Sequence, residues 1–232
     1  MKLPELSIVI TAYNEASHLE SVIVGMARVF QEAHIDYEIR IVDNGSSDGT
    51  GTVVKKLTAQ DPRIVGVALA VNKGYGGGIL AGLEGARGTV VGWAHADGQA
   101  DPNDVVRLYR KMRSEHRELG KTARVVSFES ATRKLLSVVY FSIFQILFRS
   151  PYTDINGTPK LLTRHAMQKL SLESRDWFLD PEFVIKSLRY KMPIVEIETT
   201  WHTRRGGATK ARLFLTGLEF FKNMLLYRFG IK

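Results

Sequence analysis

Val90-Val91-Gly92-Trp93-Ala94-His95-Ala96-Asp97-Gly98-Gln99-Ala100-Asp101-Pro102 is an apolar run that ends abruptly in polar residues and a proline turn. An apolar run of this length bounded by a turn reads as a buried strand. In open α/β sheets ligands bind outside the carboxyl ends of the strands, where polar residues of this kind collect. Asp97 and Asp101 offer hard oxygen ligands, Gln99 a carbonyl and His95 an imidazole. That mixture suits Mg²⁺ or Mn²⁺ carried with phosphates better than a closed zinc site. The same residues also read as a solvated strand end, with Asp101-Pro102 opening the next helix.

The preceding segments repeat this pattern. Leu6 to Thr11 is a continuous apolar run, as expected of a strand buried on both faces of a parallel sheet. It leads through Ala12-Tyr13-Asn14-Glu15 into a helix from about Ser17 to Glu32. Glu38 to Asp43 is a second strand, closed by Asn44-Gly45-Ser46-Ser47-Asp48-Gly49-Thr50 before a helix to about Ala59. Ile64 to Val71 is a third, followed by Asn72-Lys73-Gly74-Tyr75-Gly76-Gly77-Gly78 and a helix to about Arg87; Thr89 to Ala94 is the fourth. Alternating strands and helices specify a parallel sheet covered on both faces. Four polar or glycine-rich turns at one sheet edge describe a crevice. Glycine admits close approach of backbone amides to phosphate, and helix N-termini favour negative charge. The crevice therefore reads as a nucleotide site.

Composition narrows the class. The 232 residues are 44% apolar and contain no cysteine, so a full core is available and disulfide or thiolate chemistry is excluded. The longest near-apolar stretch, Leu135 to Phe148, is interrupted by Ser137, Ser142 and Gln145 and is too short to span a bilayer. The N-terminus leads almost directly into a strand, which reads as no signal peptide. The net charge of +8 is concentrated after Arg204 and fits phosphorylated ligands or an anionic membrane. Nucleic-acid binding has only that charge in its favour.

Two nucleotide chemistries compete at this point. Gly76-Gly77-Gly78-Ile79-Leu80-Ala81 formally satisfies the dinucleotide fingerprint, with Asp97 further on. That fingerprint belongs at the first strand-to-helix turn, and here the first turn holds no glycine. The order and spacing of Thr11-Ala12-Tyr13-Asn14-Glu15, Val42-Asp43 with Asn44 to Thr50, Asn72-Lys73-Gly74-Tyr75-Gly76, and Asp97-Gly98-Gln99-Ala100-Asp101-Pro102 instead resemble family 2 glycosyltransferases. Within that family the pattern is similar to the dolichyl-phosphate mannose or glucose synthase branch, over about residues 5 to 210.

The resemblance implies the GT-A fold, a nucleoside-diphosphate sugar donor, a divalent metal and inversion at the anomeric carbon. It places the donor along Thr11, Ala12, Tyr13, Glu15, Asp43, Asn44, Lys73, Gly74 and Ala96, with Tyr13, Glu15 and Asp43 at the base and ribose. Asp97 and Gln99 match the metal motif. His95 stands where the family usually has aspartate; a neutral imidazole can ligate Mn²⁺, but without a carboxylate's charge a hard-ion site is weaker. On the acceptor side, Arg133 and Ser137 match a segment facing phosphates, and their i,i+4 spacing puts them on one helix face. Asp154 and Lys160 match residues shaping the sugar and phosphate pocket. Asp180, in Trp177-Phe178-Leu179-Asp180-Pro181-Glu182-Phe183, reads as a helix N-cap. The functional reading makes Asp180 or Glu182 an acceptor base or orienting carboxylate. Arg204 and Lys210, in a glycine-hinged loop, match a diphosphate clamp.

The expectation is therefore an α/β GT-A domain over residues 1–210, its sheet mostly parallel and doubly wound with helices on both faces. Residues 1–105 form the nucleotide-binding half and 106–210 the acceptor half, and 211–232 add a C-terminal amphipathic helix. The activity expected is metal-dependent hexose transfer from a UDP- or GDP-sugar to a polyprenyl phosphate. The alternatives are a saccharide or small-molecule hydroxyl acceptor, or a nucleotide-sugar binder of weak activity. A phosphate acceptor arrives ionised, whereas a hydroxyl needs a base, and the abundance of cations favours the phosphate. The location expected is the cytoplasm, peripheral at an anionic membrane face.

Overall fold

The structure, a computed structural model, describes residues 3–126, 131–152, 154–200 and 213–230; the side chains of 126, 131–137 and 213–218 are outside the description. The first half runs β1 (Leu6–Ala12), α1 (Leu19–Glu32), β2 (Tyr37–Asn44), α2 (Thr50–Gln60), β3 (Ile64–Leu69), α3 (Gly74–Glu84) and β4 (Val90–His95). It continues with α4 (Pro102–Ser114), β5 (Leu119–Val126), α5 (Ala131–Phe148), β6 (Lys160–Thr163), α6 (Arg164–Leu170), α7 (Leu179–Arg189), β7 (Ile194–Thr200) and α8 (Leu213–Arg228). One seven-stranded sheet joins the two halves in the order β3-β2-β1-β4-β6-β5-β7. The strands β1 to β4 are parallel, β6 runs antiparallel between β4 and β5, and β7 closes the far edge parallel to β5.

The apolar runs are buried on both faces. Ile8 and Ile10 of β1 point into a cluster with Ile23, Met26 and Phe30 of α1 and Val105 and Leu108 of α4. Val9, one position along, points the other way, into a cluster with Ile79 and Leu83 of α3 and Phe183 of α7. Removing each such side chain from water contributes about 1.5–3 kcal/mol. Helix α3 seats closely because it carries glycine where it crosses the sheet: a Cβ on Gly82 would lie 2.3 Å from Val9 Cγ1.

The turns after β1 and β2 are clipped together. Asn14, at φ +56°, accepts from the Ser47 amide through its Oδ1, and its own amide donates to Ser46 Oγ. The Ala16 amide donates to Asp48 Oδ2 and the Glu15 amide to Thr50 Oγ1. This explains the Ser-Ser-Asp-Gly-Thr stretch: its side chains hold two crevice-lining loops in one wall. Asp48 is held below the usual carboxylate range; burial alone would raise it, but donation from Thr50 and Ala16 outweighs that.

Candidate active site

The parallel register brings the strand ends level. Ala12 pairs with Asp43, and Thr11 with His95, along one edge. Thr11 Oγ1 is buried there without a hydrogen-bond partner among the described residues. Ala12 and Ala96 are buried backbone positions, Tyr13 is half-buried, and Lys73 and Gly74 are exposed at the start of α3. Asp43 is half-buried and accepts from the Ser46 amide at 3.0 Å, which turns the chain out of β2. Glu15 is brought to the same wall, with Oε2 2.6 Å from His18 Nε2.

Asn44 is buried, with Nδ2 donating to Gly74 O and Oδ1 accepting from the Lys73 amide. Its amide group fastens β2 to the start of α3, which fixes this wall of the crevice. The glycines of α3 differ from the phosphate reading. A Cβ on Gly76 would lie 2.2 Å from Ser174 O, and the Gly77 amide donates to Arg175 O. They let the 173–176 segment pack directly on the helix start.

At the end of β4, Asp97 is half-buried and its Oδ1 accepts from the Gln99 amide at 3.1 Å. Asp101 is the N-cap of α4, accepting from the Asn103 amide, with Pro102 at the first helical position. Asp101 Oδ1 also accepts from Asn103 Nδ2 at 2.9 Å. The His95 ring, expected as a ligand, is stacked on Tyr75. Burial holds its imidazole below the ordinary histidine value, opposed by Asp97 and Asp180. Among the described residues no three His, Asp or Glu side chains converge as a metal cage. A single carboxylate, Asp97, nevertheless fits an ion that arrives on a diphosphate and keeps several waters.

The acceptor half contains a buried charge network. Lys160 and Lys121 are both fully buried and lie opposite each other on β6 and β5. Lys160 Nζ is 2.8 Å from Asp180 Oδ1 and donates to Gly157 O. Burial pushes Lys160 down to about 8, even with Asp180 raising it. Asp180 also accepts from Trp93 Nε1 at 3.2 Å and Tyr75 OH at 3.1 Å. The Tyr75 phenol is raised well above its ordinary value by burial and by Asp180, so it remains the donor. This corrects the N-cap reading: α7 begins at Leu179, and the Asp180 side chain points into the network.

Asp154 is gripped by Arg124, with Nε to Oδ2 at 2.7 Å and Nη2 to Oδ1 at 2.8 Å. It sits below the usual carboxylate range, because Arg124 outweighs its burial. Asp154 and Lys160 thus share one cluster but are paired with different partners. Glu182 is a second correction. It is fully buried and accepts from the Glu173 and Ser174 amides, with Lys186 Nζ 2.6 Å away. Its carboxylate holds the 173–174 backbone and is not presented as an acceptor base. Arg133 and Ser137 fall on α5 with side chains outside the described residues, as are Arg204 and Lys210 entirely.

Sequence reasoning missed Lys121, Arg124, Glu196 and Tyr75. Lys121 donates to Asp154 O and to Glu196 Oε1. A lysine within Leu119 to Val126 carried a signal, since a cation inside a strand run is buried only when paired.

The Glycosyl transferase family 2 description matches residues 7–179. The chain belongs to that family. It is a glycosyltransferase with a GT-A architecture. The dolichyl-phosphate beta-glucosyltransferase of Drosophila melanogaster is 28% identical over 220 residues, covering 85% of this chain and 67% of the relative. The human protein of that name is 27% identical, covering 97% and 75%. Among solved structures, glucosyl-3-phosphoglycerate synthase from Mycobacterium tuberculosis, crystallised with Mn²⁺, UDP and glucosyl-3-phosphoglycerate, superposes with a TM-score of 0.76. It is 18% identical and the match covers 98% of this chain and 80% of that one. At that identity the likeness establishes the fold.

Proposed function

We propose that this glycosyltransferase moves a hexose from a nucleoside-diphosphate sugar to a polyprenyl phosphate, in line and with inversion. One observation carries the choice of acceptor. Both carboxylates expected to serve as base are engaged, Asp180 with Lys160, Trp93 and Tyr75, and Glu182 with two backbone amides and Lys186. A phosphate monoester needs no base, because it is already mostly dianionic at neutral pH. Its oxygen attacks the anomeric carbon while the bond from that carbon to the diphosphate oxygen breaks, giving polyprenyl-phosphate hexose and free nucleoside diphosphate.

Thr11, Tyr13, Glu15 and Asp43 hold the nucleoside in this reading, and Asp97, with Gln99 beside it, holds the ion. A bound Mn²⁺ or Mg²⁺ supplies Lewis-acid neutralisation of charge on the departing diphosphate. Lys160, kept cationic by Asp180, supplies positive potential below the sugar pocket. Arg133, Arg204 and Lys210 face the phosphates by family resemblance. We take UDP-glucose as the first donor to test; the names of the dolichyl-phosphate beta-glucosyltransferase relatives support glucose as the sugar.

A membrane face fits the same acceptor. Among the described residues no helix is long and apolar enough to cross a bilayer. Helices α5 and α8 meet through Tyr140 and Phe220, with ring centroids 5.3 Å apart. Val138, Val139 and Ile146 are exposed on α5 and Phe221, Lys222 and Arg228 on α8, with Phe229 exposed just past its end. Apolar side chains bordered by cations suit the interface of an anionic bilayer. Flotation with vesicles tests this: binding that requires anionic lipid supports it, and no binding to any vesicle refutes it.

A further inference from the structure

Residues 176 to 178 stand between two parts of the molecule that the proposed reaction has to join. Asp176 meets α8 through its Oδ2, 3.5 Å from Asn223 Nδ2. Phe178 packs on α8 as well, its ring centroid 5.9 Å from that of Phe220 and 5.5 Å from that of Tyr227. Trp177, between them, turns to the other side: its indole lies on Tyr75, with centroids 4.3 Å apart and planes at 11°. Tyr75 follows Lys73 and Gly74 at the start of α3 and stacks in turn on His95, the last residue of β4, with centroids 5.6 Å apart. The indole is therefore two ring steps from the strand ends on one side and adjoins the α8 contacts on the other.

A tryptophan is highly buried on average, yet Trp177 is 40% exposed. Its inner face is fixed by Tyr75, and Tyr75 is itself held by donation from its OH to Asp180 Oδ2. A ring locked in place before a ligand arrives loses little freedom when one packs on it. We propose that Trp177 determines acceptor specificity: it is the platform on which the isoprene units nearest the phosphate of a polyprenyl phosphate lie as they leave the crevice for the apolar side chains of α5 and α8. The inference rests on the reading that the acceptor is a polyprenyl phosphate. Such a molecule carries its reacting phosphate and its apolar chain together, so the phosphate sits at the strand ends while the chain runs to an apolar surface. Helices α5 and α8 offer that surface, with Ile146 78% and Phe221 46% exposed. Asp176 and Phe178 tie α8 to the segment that carries the indole. That continuity with α8 favours an isoprenoid over a hexose as the occupant.

The test separates lipid from donor. The full chain, as wild type, Trp177→Ala and Trp177→Phe, is assayed in detergent micelles for hexose transfer from UDP-glucose with Mn²⁺ to a short polyprenyl phosphate, and KM is read for each substrate. The platform predicts that Trp177→Ala raises KM for the lipid by about tenfold, the effect of leaving about two methylene groups' worth of apolar contact unmade. KM for UDP-glucose should stay within about twofold, because the lost contact is made to the other substrate. Trp177→Phe, which keeps a flat apolar ring, should recover most of the loss. Tryptophan emission gives a readout without turnover. On adding the polyprenyl phosphate with UDP and Mn²⁺ the wild type should shift to the blue, and Trp177→Phe, which retains Trp93 and Trp201, should not. A rise in KM for UDP-glucose in place of the lipid, an unchanged lipid KM in Trp177→Ala, or an equal emission shift in wild type and Trp177→Phe overturns the inference and leaves the acceptor reading standing. Wild type that transfers to a saccharide and not to the lipid phosphate overturns the acceptor reading, and this inference with it.

Discussion

Asp180→Asn should destabilise the protein in a way that depends on pH. In the native chain Lys160 is fully buried and titrates at about 8, depressed by burial and raised by Asp180. Below that pH both native and unfolded chains hold the Lys160 proton, so this residue adds no slope to stability. In the variant the lysine loses its counter-charge, and its native pKa falls well below 8. The unfolded chain, with lysine near its ordinary 10.4 or so, then binds one more proton than the native one, and variant stability rises by about 1.4 kcal/mol per pH unit. Near neutrality, breaking a buried pair by removing one partner costs about 3–5 kcal/mol. The wild-type-minus-variant gap should therefore be largest near pH 6 and narrow by about 3 kcal/mol on reaching pH 8. It should then stay level towards pH 10 or so, because both native states hold neutral lysine there and share the same slope. Asp180 also raises His95, whose value in the variant falls further below the ordinary histidine one. Urea titrations followed by circular dichroism across this range measure the gap. A gap that does not change between the acidic and mildly alkaline ends would refute the coupling of Asp180 to Lys160.

Other consequences are simpler to read. Glu38 is buried and accepts from Ser7 Oγ and from the Arg87 amide and Nε. Burial would raise its carboxyl, but these donors and Arg40 hold it below its ordinary value. Its contribution is complete above the unfolded carboxylate range and is lost as pH falls through the lower native value. Thermal melts should therefore show wild type losing more stability than Glu38→Gln on acidification, with the variant about 1–3 kcal/mol weaker at neutral pH. Gly82→Ala should cost about 1–3 kcal/mol by overpacking, because its Cβ would meet Val9 Cγ1 at 2.3 Å. Gly25→Ala, in α1 with nothing within 4 Å of the new Cβ, should instead stabilise by about 0.5–1 kcal/mol. Chemical denaturation of the two alanine variants side by side checks both signs.

The parallel half of the fold was legible because its strands are buried on both faces and each ends in a turn signal. Leu6 to Thr11 falls within β1, and Thr89 to Ala94 matches β4 to one residue at each end. Neither β5 nor the four-residue β6 was read as a strand. Lys121 and Arg124 interrupt the apolar pattern of β5, and Lys160 opens β6; these charges are tolerated only because Glu196, Asp154 and Asp180 pair with them across sequence-distant elements. The same reason hid the true role of Asp180. An acid followed by proline at a helix start is locally indistinguishable from a cap, and only the tertiary approach of Lys160, Trp93 and Tyr75 decides otherwise. Asp101, with no such neighbours, behaves as its local sequence dictates. Glycines after β3 were read as phosphate-facing, while the structure puts the 173–176 backbone against them. Spacing alone does not reveal which partner requires a missing side chain.

The most direct measurement is transfer of labelled glucose from UDP-glucose to a short polyprenyl phosphate by the full chain, with Mn²⁺ or with EDTA. UDP-GlcNAc, UDP-galactose and GDP-mannose serve as competing donors, and a saccharide replaces the lipid as control. The account predicts lipid-linked hexose that forms with Mn²⁺, disappears with EDTA, and is lost in Asp97→Ala. Donor binding with no transfer to the lipid phosphate, but transfer to the saccharide hydroxyl, would contradict it.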